Sequence, residues 1–255
     1  MKLWSTIFFL FATTAIINGQ GLDEILEKHF EAVGMEYLKN VETIQYKGSY
    51  YNRYLEKMGN NPPEYLLKPE FVLTVANGKG YRLHVFSPPG YYIIGFSEGN
   101  YWLNQNGNVN VNWNPIALDR LLIQLQLDIE GFLYDWERKA FNVIKMEDAI
   151  LNNKIHHKIK LINKENNDTI YYYLDSKTNL ISTISYDGDL SDGKEYANIE
   201  FQKYKKVKNI NISFKQIQTS LMLDGSYDKR EIIIQEVILN PDIKEEIFMS
   251  EYKNQ

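Results

Sequence analysis

Between Thr169 and Ile184 the chain reads Thr-Ile-Tyr-Tyr-Tyr-Leu-Asp-Ser-Lys-Thr-Asn-Leu-Ile-Ser-Thr-Ile, two runs of β-branched and aromatic residues on either side of a short polar segment, Asp175 to Asn179. Such side chains suit a pleated, half-buried surface. Asp175 can fold its carboxylate back onto N–H groups of the turn, and Asn179 is one of the few non-glycine residues that tolerate a left-handed backbone. Strand pattern and turn chemistry agree, and together they specify an antiparallel hairpin.

The N-terminus is set aside from fold reasoning. Lys2 precedes an apolar run, Ile7 to Ile17, which gives way to Asn18, Gly19 and Gln20. This is the pattern of a secretory signal peptide over 1–19, with cleavage after Gly19 despite the bulky Ile17 two positions before it. The run is too short to cross about 30 Å of hydrocarbon at ~1.5 Å per residue, and no later stretch is long enough and free of charge. The expectation is a soluble, exported mature chain folding as a single domain over 20–255.

Cysteine is absent. Disulfides, thiol catalysis and thiolate metal ligands are excluded, as is the acylation site of a bacterial lipoprotein. The formal charge of −5, from 28 basic and 33 acidic residues, is too balanced to argue for nucleic acid or an anionic membrane as the main partner. A chain of this length buries roughly 70–75% of its unfolded surface, and its 19 tyrosines and 12 phenylalanines favour strands.

Along the mature chain, Leu22, Ile25, Leu26, Phe30 and Val33 recur at helical spacing and stop at Gly34. From Val41 to Leu55 the period becomes two, with Ile44, Tyr46 and Tyr50 on one side of a long strand. After Asn60-Asn-Pro-Pro63, strand patterns recur at Phe71 to Val75, Tyr81 to Phe86, Tyr91 to Phe96 and Tyr101 to Asn104, a meander separated by turn residues. Asn114-Pro115 is a helix start, asparagine as cap and proline at the first helical position, and Leu118, Leu121, Leu122 and Leu125 form an apolar stripe behind it. Asp128-Ile-Glu-Gly131 ends that stripe before a short helix or structured loop containing Phe132, Leu133, Tyr134 and Trp136. Further strands are expected at Phe141 to Lys145, Ile155 to Ile162, the hairpin, Glu195 to Tyr204, Phe214 to Leu223 and Arg230 to Leu239, with Asp224-Gly225 turning between the last two.

Several of these segments resemble one family in their order and spacing. They are the opening helix closing on Gly34 before a long strand, Gly99-Asn-Tyr-Trp102 ahead of the Asn-Pro helix, Asp128 to Asp135, the strand, Tyr-Leu-Asp, x-x-Thr-x-Leu, strand pattern of the hairpin, and Glu236 to Phe248. Together they resemble the LolA-like outer-membrane lipoprotein-sorting proteins, envelope carriers of lipoproteins. Asn209 and Ser213 depart from the glycine and proline often found there, and Asn152-Asn153 replaces a glycine turn. The resemblance implies an α+β, mainly β fold: a half-open antiparallel β-barrel with helices covering its concave face.

A sheet curled but not closed leaves a basin, and acyl chains gain ~0.8 kcal/mol per buried CH₂ in such a place. Candidate lipid-binding residues are Tyr46, Tyr50, Leu73, Val75, Ile94, Phe96, Trp102, Leu118, Leu122 and Leu125. Any one of these could equally be ordinary core, since half of every barrel strand faces inward whether or not a ligand exists. The resemblance also implies a strand arginine at the basin, for which Arg53 comes before Arg82.

No catalytic set stands out. His156 and His157 are adjacent on a strand and point to opposite faces, and His29 and His84 have no partner at metal spacing. Asp187, Asp189 and Asp192 lack the spacing of an EF-hand and read as a solvated turn. The expected protein is therefore a monomeric periplasmic carrier and not an enzyme. Its cargo would be an acylated lipoprotein or another lipid, passed between membrane donor and acceptor proteins, with no cofactor and no nucleic acid. An envelope sensor that uses the same basin to bind a regulatory protein is a second reading, and an enzyme whose residues converge only in three dimensions a third. The export expectation has a direct check. N-terminal analysis of the native protein should find Gln20 first, in the periplasmic fraction, whereas an intact Met1 or recovery only with carbonate-washed membranes would contradict it.

Overall fold

Gly34 fixes where the first helix stops and how the chain enters the sheet. Helix α1, Leu22–Val33, buries Ile25, Leu26 and His29 at helical spacing. Gly34 then takes a left-handed conformation, φ 85°, its N–H bonding back to the carbonyls of Phe30 and Glu31. A Cβ at this position would also overlap the carbonyl of Asn209, so glycine is required twice over. A one-turn helix, α2 (Met35–Leu38), leads into the strands. The computed structural model describes residues 21–52, 68–87, 90–111, 113, 129–186, 188–221 and 225–249. The expected signal peptide, Arg53 and the Asn114-Pro115 helix with Leu118, Leu122 and Leu125 lie outside the described residues.

The strands in chain order are β1 (Thr43–Asn52), β2 (Glu70–Ala76), β3 (Gly80–Ser87), β4 (Gly90–Ser97), β5 (Asn100–Gln105), β6 (Asn108–Asn110), β7 (Phe141–Lys145), β8 (Ala149–Leu151), β9 (Lys154–Asn163), β10 (Thr169–Asp175), β11 (Ile181–Ser185), β12 (Asn198–Val207), β13 (Ile210–Leu221) and β14 (Tyr227–Leu239). All pair antiparallel in one sheet of order β6-β5-β4-β3-β2-β1-β14-β13-β12-β11-β10-β9-β7, with β8 beside β9. No ladder joins β6 to β7 among the described residues, so the sheet is open.

The hairpin read from sequence is β10–β11. Asp175 accepts from the amides of Lys177 and Thr178, each at 3.0 Å, and Asn179 has φ 57°. Burial pushes the Asp175 carboxyl up, but these donors outweigh it and hold it below the usual range. The β2–β5 meander also follows the sequence pattern. β13 starts at Ile210, ahead of the expected Phe214, because Lys208-Asn209 makes a two-residue turn that lets Val207 pair with Ile210. Residues 129–140 form a loop of successive turns that buries Phe132 and Leu133.

Two apolar clusters fill the concave side. One gathers Met35, Leu38, Ile44, Val75, Val85, Ile210 and Ile234. The other sets Ile25 and Leu26 of α1 against Phe141, Ile159, Leu161, Tyr172 and Ile184. In this second region His29 is nearly fully buried, and its Nδ1–H donates to the carbonyl of Asn179 at 2.8 Å, tying helix to hairpin turn.

Trp102 corrects a reading made from sequence. It was expected to line the basin, but it pairs with Gly95 in β4, one step out of phase with Tyr92 and Ile94, and so stands on the opposite face. There its indole lies over Gly95, where a Cβ would overlap the ring, and its N–H donates to the carbonyl of Phe248 at 2.9 Å. This face is closed by the 3-10 turn Glu245–Phe248, whose Phe248 packs on Gly80.

Two outcomes are expected. Gly95→Ala should destabilise the protein by roughly 1–3 kcal/mol in urea unfolding, because the indole must leave its seat; an unchanged midpoint would show that the ring moves freely. His29 should also make folding acid-sensitive: burial pulls its pKa from 6.5 down to about 4, the Asn179 bond opposing only in part. Stability is then full above pH 6.5, falls as pH drops because the unfolded chain binds the proton first, and levels off near pH 4, a loss on the order of 3 kcal/mol. His29→Gln should have a shallower pH dependence between 6.5 and 4 by this amount, and identical slopes would remove His29 from the account.

Candidate functional site

The side chains of β1 that face inward are Ile44, Tyr46 and Tyr50, with Gly48 between them. β14 pairs with this strand through a bulge: Gly48 faces Ile234 and Lys47 faces Glu236, leaving Gln235 unpaired. The extra residue resets the alternation, so Arg230, Ile232 and Ile234 before it point into the concavity, while Val237 and Leu239 beyond it pack against the same core cluster. Across the other edge of β1, Phe71, Leu73 and Val75 of β2 face the same way, followed by Tyr81 and Leu83 of β3 and Tyr92 and Ile94 of β4. Ile210, Ile212, Gln216 and Gln218 of β13, with Ile199, Phe201 and Tyr204 of β12, supply the other wall.

These walls enclose a cavity of about 450 Å³, within the size range of small-molecule sites. His29, Val33, Met35 and Leu38 from the helical segment line one region of it. Its character changes along the strands. Towards Ile44, Val75 and Ile210 the surface is aliphatic, whereas Tyr50, Tyr92, Gln216, Gln218 and Arg230 gather at the other end. Tyr50 and Tyr92 share a hydroxyl–hydroxyl bond of 3.0 Å. The guanidinium of Arg230 lies over the Tyr50 ring, 5.2 Å from its centroid. Its Nε is buried with no hydrogen-bond partner among the described residues.

Burial holds the phenols of Tyr46, Tyr92 and Tyr204 protonated well above their ordinary range; at Tyr92 the Tyr50 hydroxyl adds to the effect and Arg230 opposes it. Tyr204 donates to the carbonyl of Ile181 at 2.7 Å. The one acidic side chain among the described lining residues, Glu130, lies 3.9 Å from Lys139, which also donates to the Gly131 carbonyl.

Of the residues singled out from sequence, Tyr46, Tyr50, Leu73, Val75 and Ile94 come together on this surface. Phe96 shares their face but packs on Tyr101, ring centroids 4.7 Å apart, beyond the cavity lining. Arg82 pairs with Gly95 and Thr74 on the face that also carries Trp102. Among the described residues the arginine that reaches the cavity is Arg230, which sequence reasoning missed. Its alternation with Ile232 and Ile234 was visible, but the facing of that strand depends on the bulge and on its β1 neighbour.

Other polar candidates are tied into structure. Lys158 Nζ meets Asp189 at 2.9 Å, and Asp189 also accepts from the Tyr173 hydroxyl and from Ser191. Partial burial raises the Asp189 carboxyl, but these donors together bring it far below the usual range, making Asp189 the anchor of a buried lysine. His157 contacts Asp148 at 3.2 Å and His156 contacts the Lys154 carbonyl at 3.0 Å, on opposite faces of β9. Among the described residues no group of three or more His, Asp or Glu is arranged around a metal position.

No family model and no curated protein sequence matches the chain. Solved structures do resemble it. An outer-membrane lipoprotein-sorting protein domain from Vibrio parahaemolyticus superposes with a TM-score of 0.56 at 10% identity, over 88% of this chain and 95% of that one. A LolA superfamily protein from Nitrosomonas europaea gives 0.56 at 9% identity, over 90% and 98%. A DUF1329 family protein from Desulfovibrio piger gives 0.55 at 11% identity, over 91% and 99%. At such identities the likeness is one of fold, and the fold of this chain is LolA-like.

Proposed function

We propose that the protein is an exported, periplasmic carrier that holds the acyl chains of a lipoprotein or of another lipid in the cavity and moves them between membranes. The observation that supports this most is the cavity itself: an open sheet with a LolA-like fold turns aliphatic and aromatic side chains from β1, β2, β4, β13 and β14 into one concave surface. Water in such a place gains little from the walls, and an acyl chain entering it gains ~0.8 kcal/mol for each CH₂ buried. Tyr46, Tyr50, Leu73, Val75 and Ile94 are the proposed contacts, with helices, including the one read from Asn114-Pro115 through Leu118, Leu122 and Leu125, laid over the mouth. The residues lining the cavity hold or release a hydrophobic group without bond-making, and the name of the Vibrio neighbour, a lipoprotein-sorting domain, agrees with that role.

The test is what the protein carries. Mass spectrometry of the native protein should find acyl-containing species, and Ile94→Glu should lose them while still melting cooperatively, because a carboxylate on this wall must be desolvated beside the chain at a cost of several kcal/mol. A wild-type protein that is free of lipid and takes up no diacyl lipopeptide, or an Ile94→Glu variant that binds like wild type, would overturn the proposal.

A further inference from the structure

A cavity that is aliphatic at one end and holds an arginine at the other selects more than a hydrophobic tail. Arginine stays charged at any accessible pH, and a guanidinium with a buried edge is costly unless something answers it. Arg230 has Tyr50 beneath its face, but this contact uses the plane of the guanidinium and leaves the edge donors available. Among the described residues its buried Nε has no hydrogen-bond partner and no carboxylate pairs with it. Glu231, its chain neighbour, is on the other face of β14 and bridges Lys215 at 2.9 Å. Around Arg230 stand groups able to donate to an anion without repelling it: the Tyr50–Tyr92 hydroxyl pair and the amides of Gln216 and Gln218.

We infer that this end of the cavity is a headgroup site for an anionic amphiphile, with a carboxylate or phosphate against Arg230 and the tail lying along the strands toward Ile44 and Leu38. From Tyr50 to Ile44 the strand runs about 20 Å at ~3.4 Å per residue, the length of a medium to long acyl chain. The inference rests on the carrier reading above and sharpens it to ligand class. Charge-assisted bonds from the fork of an arginine to an oxyanion supply the selectivity, and they gain strength because the apolar walls exclude water.

Calorimetric titration of the delipidated mature protein with dodecanoate, dodecyl phosphate, dodecanol and inorganic phosphate tests it. Wild type should bind the two anionic amphiphiles roughly tenfold or more tightly than dodecanol, and inorganic phosphate far more weakly than any of them. Arg230→Gln should erase the preference, bringing the two anionic amphiphiles down to the affinity of dodecanol for the same variant, and Arg230→Lys should keep most of it. Equal wild-type binding of dodecanol and dodecanoate would overturn the inference and leave the carrier standing; this comparison needs no variant and decides the matter even if Arg230→Gln fails to fold. A preference that survives Arg230→Gln would overturn it too, as would inorganic phosphate binding as tightly as dodecyl phosphate. If none of the dodecyl compounds binds, the carrier reading itself falls.

Discussion

The first and last strands of the sheet are neighbours, and the rest of the molecule depends on that ladder. β1 and β14 pair from Ile44 with Leu239 to Asn52 with Arg230, joining the N-terminal meander to the strands that run from β14 to β7. Without this seam there would be two separate sheets and no shared concave surface. Asn240 fastens its end: the side-chain oxygen accepts from the amides of Glu42 and Thr43, and its own amide donates to the Thr43 carbonyl at 2.7 Å. Lys47 and Glu236 face each other across the ladder at 2.7 Å, an exposed ion pair that contributes little beyond register.

The bulge at Gln235 is what turns a seam into a site. Side chains alternate along a strand with period two, so an uninterrupted β14 could not place both Ile234 and Val237 on one face. One unpaired residue allows it, and the aliphatic row of β14 then continues the row of β1 on both sides of the bulge. The same sheet carries Trp102, Gly95, Arg82 and Thr74 on its reverse, where Phe248 packs on Gly80 and accepts from the Trp102 indole. Each face is thus specified by different residues of the same strands.

Polar groups answered within the protein stabilise the frame, and the one left open inside the cavity points to ligand. Asp189 with Lys158, Tyr173 and Ser191, or His29 with Asn179, have their bonds satisfied within the protein. Arg230 is the contrast, a charge at the edge of an apolar cavity whose Nε has no partner among the described residues. Satisfied networks hold an element in place, whereas a buried donor left open favours whatever anion can reach it.

Local chemistry was legible in the sequence. Helix α1 and its stop at Gly34, the Asp175–Asn179 turn, the meander and the inward side of β1 follow from periodicity, left-handed tolerance and turn-residue chemistry, all short-range properties. The family likeness gave the fold in outline as well. Sequence alone could not decide which face of a distant strand meets that of another. Trp102 was misplaced because its facing depends on pairing with Gly95, and Arg230 was passed over because its approach to Tyr50 joins residues at opposite ends of the chain. A one-residue change in register reverses every side chain that follows it, and only tertiary pairing sets the register.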